Sequence, residues 1–96
     1  MIMETALMSI VPGKELEFEA ALEQAKKVIS QAEGMVHFQV SRGIERPSTY
    51  QLMIGWKTLE DHTVGFRESE LFVQWRGLIG PFFAEAPVVE HWQLDN

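Results

Sequence analysis

The segment from Trp56 to Arg67 brings together, within twelve positions, residue types that can carry out chemistry. Thr58 and Asp61 have the spacing of a capping box, which satisfies the free amides at the start of a helix. His62 and Phe66 then fall one turn apart, so a helix would carry both rings on one face. Since an unperturbed histidine has a pKa of about 6.5, His62 is suited to act as a base or a hydrogen-bond donor. The segment therefore predicts a pocket beside this helix face.

Arg67 and several aromatic residues are the candidates to complete such a pocket. The guanidinium of Arg67 could orient an oxyanion, although a surface pair with a neighbouring carboxylate explains it as well. The aromatic candidates for substrate binding are Trp56, Phe66, Phe72, Trp75 and, through its hydroxyl, Tyr50. Each of these aromatic residues could equally be an ordinary residue of the hydrophobic core. His62 could likewise be a histidine whose ring packs on the sheet and hydrogen-bonds a backbone carbonyl.

The two other histidines are weaker candidates, because His37 and His91 each lie in a predicted strand outside this segment. The three histidines share no metal-ligand spacing such as H-x-x-x-H. The chain also has no cysteine, which excludes thiolate catalysis and cysteine-ligated zinc. The sequence predicts no metal site.

Composition and charge restrict the class of protein and its partners. Ninety-six residues predict a single domain over residues 1–96. The net charge of −6, with the basic residues scattered, argues against a nucleic-acid partner. The N-terminus lacks a signal-peptide pattern, and no apolar run approaches the roughly 20 residues of a membrane span. These features predict a cytoplasmic protein with no membrane association.

Apolar periodicity predicts a strand, a helix and a strand in the first half of the chain. The first strand covers residues 3–11 and places three apolar residues on one face: Ala6, Met8 and Ile10. The helix covers about residues 13–32 and carries a stripe at spacings of four and three: Phe18, Leu22, Ala25, Ile29 and Ala32. The second strand covers residues 35–42, with Val36, Phe38 and Val40 on one face.

The second half repeats the order strand, helix, strand. The third strand covers residues 50–57, and one or two helical turns follow over residues 59–66. Ser69 is predicted to cap a second helix that ends at Gly80-Pro81. The apolar segment 82–87 is either a lid over the pocket or, the favoured reading, an arm around a partner subunit. The last strand covers about residues 87–94.

The β-α-β-β-α-β order is that of an α+β, ferredoxin-like split βαβ fold with a four-stranded antiparallel sheet and both helices on one face. Apolar residues occur on both faces of several strands, whereas a sheet facing water should alternate more strictly. An exposed apolar face usually marks an interface. We therefore expect a homodimer packed sheet against sheet.

Several segments resemble the antibiotic biosynthesis monooxygenase (ABM) family over almost the whole chain. They are Val11 to Glu19, Gly34, Tyr50 to Trp56, Leu59 to Arg67 and the closing Val89-Glu90-His91-Trp92. The resemblance implies a ferredoxin-like monomer that dimerises into a shared α/β barrel. It also implies candidate activities, since some members oxygenate polycyclic aromatics with O₂ and without metal, flavin or haem. Others degrade haem, act on quinols or have no assigned reaction.

Two branches of the family can be compared residue by residue. Haem-degrading members carry a tryptophan and an iron-ligating histidine where this chain has Gly65 and Arg76, and a first-strand asparagine that is absent here because Asn96 is the only one. The resemblance therefore disfavours haem degradation. Anthrone oxygenases use an asparagine, a tryptophan and an arginine. Trp56 and Arg67 could supply the last two roles, but the asparagine is absent here, so the resemblance does not imply the same mechanism.

The leading hypothesis from these residues is a dimeric, cofactor-independent monooxygenase for a small aromatic or quinol-type substrate plus O₂. His62 is the expected base or donor and Arg67 the oxyanion partner. Two alternatives remain on the same scaffold, because fold does not imply function. One is a non-catalytic ligand-binding or stress-response module, and the other is a dimerisation domain without a pocket.

Overall fold

The computed structural model describes residues 1–95 and has the predicted order of strands and helices. The strands are β1 (Ile2–Ser9), β2 (Met35–Arg42), β3 (Thr49–Trp56) and β4 (Val88–Gln93), and the helices are α1 (Glu15–Ile29) and α2 (Glu70–Ile79). A π-helix (Asp61–Phe66) precedes α2 and a 3₁₀ turn (Gly80–Phe82) follows it. The strands form one sheet in the order β2-β3-β1-β4, and every neighbouring pair is antiparallel. The predicted ferredoxin-like α+β fold is confirmed.

The helix α1 forms because its apolar residues repeat on one face and its charges suit its ends. The predicted stripe Phe18, Leu22, Ala25 and Ile29 is buried. Acidic side chains occupy the first turn and lysines the last, which favours the helix dipole at both ends. The helix is shorter than predicted at both ends. At its start, Gly13 has a φ of +92° and therefore lies in the turn before the helix rather than in its first turn.

The strand β2 has the predicted bounds, but the prediction of its faces is wrong at its first two residues, Met35 and Val36. A β-bulge lies between Met35 and His37, where the pairing with β3 shifts by one residue. Met35 consequently packs on the core, and Val36, predicted to share a face with Phe38, is 47% exposed. Strict alternation fails here because the extra residue of a bulge reverses the faces on one side of it.

The core lies between the sheet and the two helices. Alternate residues of β1 and β3 point into it, from Ala6 and Met8 on one strand and from Tyr50 to Trp56 on the other. Helix α2 adds Trp75 and Ile79 to the same core. Among residues 1–95, neither helix combines the length and the apolar content that crossing a membrane requires.

The opposite face of the sheet carries no helix and is only partly polar. The strand pairing places Leu7, Met53, Val88 and Trp92 on this open face, together with threonine, glutamine and glutamate side chains. Trp92 is 53% exposed, and its indole N–H donates to Thr5 Oγ1 at 2.9 Å, which holds the ring over β1. The open face therefore presents an indole and several aliphatic side chains outward.

Candidate active site

The turn that leads into the candidate site is closed by the predicted capping box. The Thr58 amide donates to Asp61 Oδ2 at 3.2 Å, and the Asp61 amide donates to Thr58 Oγ1 at 3.1 Å. The residues that follow form a π-helix rather than the predicted α-helical turns, and the Arg67 amide donates to the His62 carbonyl five residues earlier. Such wide turns are rare and often occur at functional sites.

His62 points from the π-helix into the protein and is 3% exposed. Its ring is stacked on Trp56, with centroids 5.1 Å apart and planes at 19°, and Phe66 lies 6.3 Å from His62 and 5.6 Å from Trp56. The imidazole is therefore held in a triangular cluster of three rings. The predicted sharing of one helix face by His62 and Phe66 is confirmed.

The polar group that His62 meets in the core is the carboxyl of Glu4, a residue that the sequence reasoning did not single out. Glu4 projects from β1 between β3 and β4 and is 5% exposed. Its Oε1 accepts the indole N–H of Trp56 at 3.0 Å and lies 3.3 Å from His62 Nε2. A carboxyl is thus buried among an indole and an imidazole at the start of the first strand.

Burial shifts the pKa values of this pair in opposite directions. Removal from water raises the pKa of Glu4 to about 6, although the Trp56 hydrogen bond and the charge of Arg67 oppose the rise. Burial, with smaller contributions from the positive charge of Arg67 and from the neighbouring His91, lowers the pKa of His62 to about 4. His62 is therefore neutral at physiological pH, and its contact with Glu4 is not an ion pair.

His91 extends the cluster toward the surface. It pairs with Glu4 across β1 and β4, and its Nε2 lies 2.7 Å from His62 Nδ1. Burial and the charge of Arg67 lower the pKa of His91 as well. With both rings neutral, His91 Nε2–H can donate to His62 Nδ1, which leaves the proton of His62 on Nε2 beside the carboxylate of Glu4.

A cavity of about 550 Å³ opens beside Glu4, between β1, β4 and helix α2. Its polar side chains are Glu4, Arg67 and Arg76. The rest of the wall is apolar and comprises Ala6, Met8, Phe72, Trp75, Ile79, Phe83, Ala86, Pro87 and Val89. The volume lies within the range of roughly 300–1,000 Å³ that is usual for small-molecule sites, as is an apolar wall with few polar groups. We call it the Glu4 cavity.

The residues predicted from the sequence separate into three groups around this cavity. Arg67, Phe72 and Trp75 line it. His62, Trp56 and Phe66 are buried behind the wall and do not line the cavity. His62 and Trp56 contact the Glu4 carboxyl, whereas Phe66 packs against Phe72 and Trp75 of the wall. Tyr50 lies toward the other end of β3, where its hydroxyl donates to Glu19 and burial raises its pKa to about 12. The segment 82–87 packs against the same subunit, where Phe83 pairs with Ile10 in a β-bridge. Phe83, Ala86 and Pro87 of this segment form part of the cavity wall.

The Glu4, His62 and His91 cluster does not have the geometry of a metal centre. His62 uses its two ring nitrogens toward two different partners, so these residues do not converge on one point. Within residues 1–95, no three histidine, aspartate or glutamate side chains are grouped as metal ligands. The arrangement is suited instead to holding a carboxyl of raised pKa against an apolar cavity.

The sequence and the fold can now be compared with known proteins. The family model described as antibiotic biosynthesis monooxygenase matches residues 1–78, from β1 through most of α2. The chain belongs to the ABM family. All of the polar cavity residues and the whole His62 turn lie within the matched part.

Relatives of this ABM protein can be aligned with it along nearly the full length of both chains. The uncharacterized Bacillus subtilis protein YczJ is 41% identical over 93 residues, which cover 97% of this chain and 98% of YczJ. A crystal structure from Bordetella bronchiseptica, assigned to the same family, is 40% identical with a TM-score of 0.94 and covers 99% of this chain and 97% of its own. SnoaB of Streptomyces nogalater, a cofactor-independent oxygenase, shares the fold at a TM-score of 0.83 but only 10% identity, with 99% and 93% of the two chains covered.

Proposed function

We propose that this ABM protein is a cofactor-independent monooxygenase for a small aromatic or quinol-type substrate that carries an acidic C–H or O–H group. The observation that carries the proposal is the carboxyl of Glu4, which lines an otherwise mostly apolar cavity and has a pKa raised to about 6. A base with a pKa near the working pH is the group that substrate deprotonation requires. An aromatic wall of Phe72 and Trp75 suits a flat substrate.

The reaction can be written for a ring CH₂ group next to a carbonyl. Glu4 removes one proton, and the negative charge that develops on the carbonyl oxygen faces the guanidinium of Arg67. The carbanion transfers an electron to O₂ and combines with it to form a C–O bond, and the resulting peroxide anion takes the proton back from Glu4. Glu4 then removes the second C–H proton while the O–O bond breaks, and it returns that proton to the departing hydroxide. CH₂ and O₂ become C=O and H₂O, and Glu4 is unchanged.

The remaining residues of the cluster position Glu4 in this proposal. Trp56 donates to the carboxylate, and His62, neutral at working pH, packs beside it with Nε2 3.3 Å from Glu4 Oε1. His91 fixes the tautomer of His62 through the 2.7 Å contact between their rings. The proposal thus gives the role of base, expected for His62, to Glu4 and leaves His62 to position that carboxyl.

Oxygen uptake tests the proposed activity. Purified protein is mixed with a panel of anthrones and quinols in the presence of a metal chelator, and O₂ consumption and incorporation of ¹⁸O into the product are measured. We expect one O₂ consumed per substrate and one labelled oxygen retained in the product. Substrates that quench tryptophan fluorescence without O₂ uptake would instead indicate a non-catalytic binding module, and a panel that neither binds nor reacts would favour the purely structural alternative.

We also propose that the protein acts as a homodimer joined through the open faces of two sheets. Support comes from Leu7, Met53, Val88 and Trp92, which form an apolar surface that a monomer would leave in water. Light scattering coupled to size-exclusion chromatography should give twice the 11.0 kDa chain mass. Substituting Trp92 by glutamate should shift that mass toward the monomer, and a wild-type mass of 11.0 kDa at micromolar concentration would contradict the proposal.

A further inference from the structure

Two arginines line the Glu4 cavity, and neither forms a salt bridge within the described residues 1–95. Among residues 1–95, the close contacts between basic and acidic side chains are Lys14–Glu17, Arg42–Glu19 and His62–Glu4, and none involves Arg67 or Arg76. We propose that the substrate of this cavity carries a carboxylate, in addition to its acidic C–H or O–H group, and that Arg76 binds it. The inference rests on the proposed function for its account of the other end of the substrate.

The charge of the cavity is opposite to that of the protein. The chain as a whole carries a net charge of −6, whereas the cavity wall has two guanidinium groups and one carboxyl. The wall is therefore positive whether Glu4 is ionised or neutral. A local positive potential inside a negative protein concentrates anions at that point, so it favours an anionic substrate over a neutral one.

The two arginines serve different ends of the cavity. Arg67 is close enough to Glu4, His62 and His91 to lower the pKa of each, whereas Arg76 affects none of them. The cavity follows β1 from Glu4 to Met8, a length of about 13 Å at the rise of an extended strand. Arg76 lies nine positions after Arg67 and one turn before Ile79 and the 3₁₀ turn. It is thus placed away from the carboxyl of Glu4, toward the Met8 end.

The wall between these ends decides the shape of the ligand. Ala6, Phe72 and Trp75 are apolar residues of the same lining as Glu4 and Arg76. A length of about 13 Å accommodates an aromatic body of two or three fused rings, with its acidic group at Glu4 and a carboxylate at the opposite end. Arginine is the residue best suited to that carboxylate, since its planar guanidinium binds both oxygens at once. The substrate class is therefore a polycyclic aromatic carboxylate.

A binding experiment with a matched pair of probes tests this inference without requiring turnover. Anthracene-2-carboxylate and its primary amide are titrated into the protein, and the dissociation constants are measured by quenching of tryptophan fluorescence. We expect the carboxylate to bind wild-type protein at least about tenfold more tightly than the amide, because a charge-assisted bidentate pair is lost in the amide. Arg76→Gln should remove the preference, and Arg76→Lys should keep part of it.

The control variant is Arg46→Gln, which removes the same charge from the exposed β2–β3 loop outside the Glu4 cavity. It should retain the preference and so excludes an effect of net charge alone, and circular dichroism establishes that each variant is folded. Equal affinity for the two probes, or a preference that survives Arg76→Gln, would overturn the inference. If wild-type protein prefers the carboxylate, Arg76→Gln loses that preference and no substrate gives O₂ uptake, the monooxygenase proposal would be rejected and the carboxylate site would stand.

Discussion

Replacing Glu4 by glutamine should lower oxygen-dependent turnover at least a hundredfold while it makes the folded protein more stable at pH 8. The loss of rate follows because an amide cannot take a proton, and a positioned general base contributes roughly 10²–10⁴-fold. The gain in stability follows from the raised pKa of Glu4. A carboxyl that is buried away from water is costly when ionised, and glutamine keeps the acceptor for Trp56 without the charge.

The pH dependence of this stability has a definite sign. The pKa of Glu4 is about 6 in the folded protein against an ordinary value of 4.5, so the folded state binds more protons between these values. The contribution of Glu4 to the free energy of unfolding is therefore full below pH 4.5 and falls as the pH rises toward 6, by about 2 kcal/mol in total. Turnover by the wild-type enzyme should rise over the same range, as Glu4 becomes the ionised base.

Urea unfolding of both proteins at pH 4.5 and pH 8 measures the difference. We expect the variant to gain on the wild type between the two pH values by about 2 kcal/mol. Comparing the two proteins at each pH cancels most of the opposite contribution of His62, which is present in both. The control is Glu23→Gln, on the exposed side of α1 and away from both the Glu4 cavity and the open face, which should change neither turnover nor the pH dependence. A Glu4→Gln enzyme with wild-type turnover would remove Glu4 from the reaction.

Elements with strong local periodicity could be predicted from the sequence, and irregular ones could not. The stripe of α1 and the capping box of Thr58 and Asp61 depend on spacings within one helix or one turn, and both are confirmed. The bulge at Val36 has no comparable signal, because an apolar β-branched residue suits either face of a strand. The π-helix also escapes prediction, since residues at a spacing of four suggest an α-helical turn.

The candidate site shows the same division. Glu4 shares the alternation of Ala6 and Met8 in β1, so the sequence alone places a charged residue in the buried register of the strand. The contact between Glu4 and His62 could not be read in this way, because it joins residues 58 positions apart and depends on how the π-helix sits on β1. The cavity is harder still to predict from the sequence, because it is the space left between α2 and two strands and depends on how these elements pack.

Gly34→Ala should destabilise the protein by roughly 3 kcal/mol, through two effects that can be separated. Gly34 has a φ of +84°, which costs a residue with a side chain about 1–2 kcal/mol. A Cβ at this position would also collide with the carboxylate of Asp61, whose oxygen caps the turn before His62. Displacing that carboxylate loses the cap, worth about 0.5–2 kcal/mol more.

Gly13→Ala isolates the first effect, because Gly13 has a similar φ of +92° and a Cβ there would meet nothing within 4 Å. We expect it to cost about 1 kcal/mol, and Gly34→Ala to lower the melting temperature by more than about 10 °C. In the double variant Gly34→Ala with Asp61→Gly, all three Asp61 side-chain atoms that would meet the new methyl group are removed, so the cost of adding it should fall to that measured at Gly13. If Gly34→Ala cost no more than Gly13→Ala, the Asp61 carboxylate would not be held against Gly34. The turn that aims His62 at Glu4 would then depend on its own backbone and on the aromatic cluster rather than on this cap.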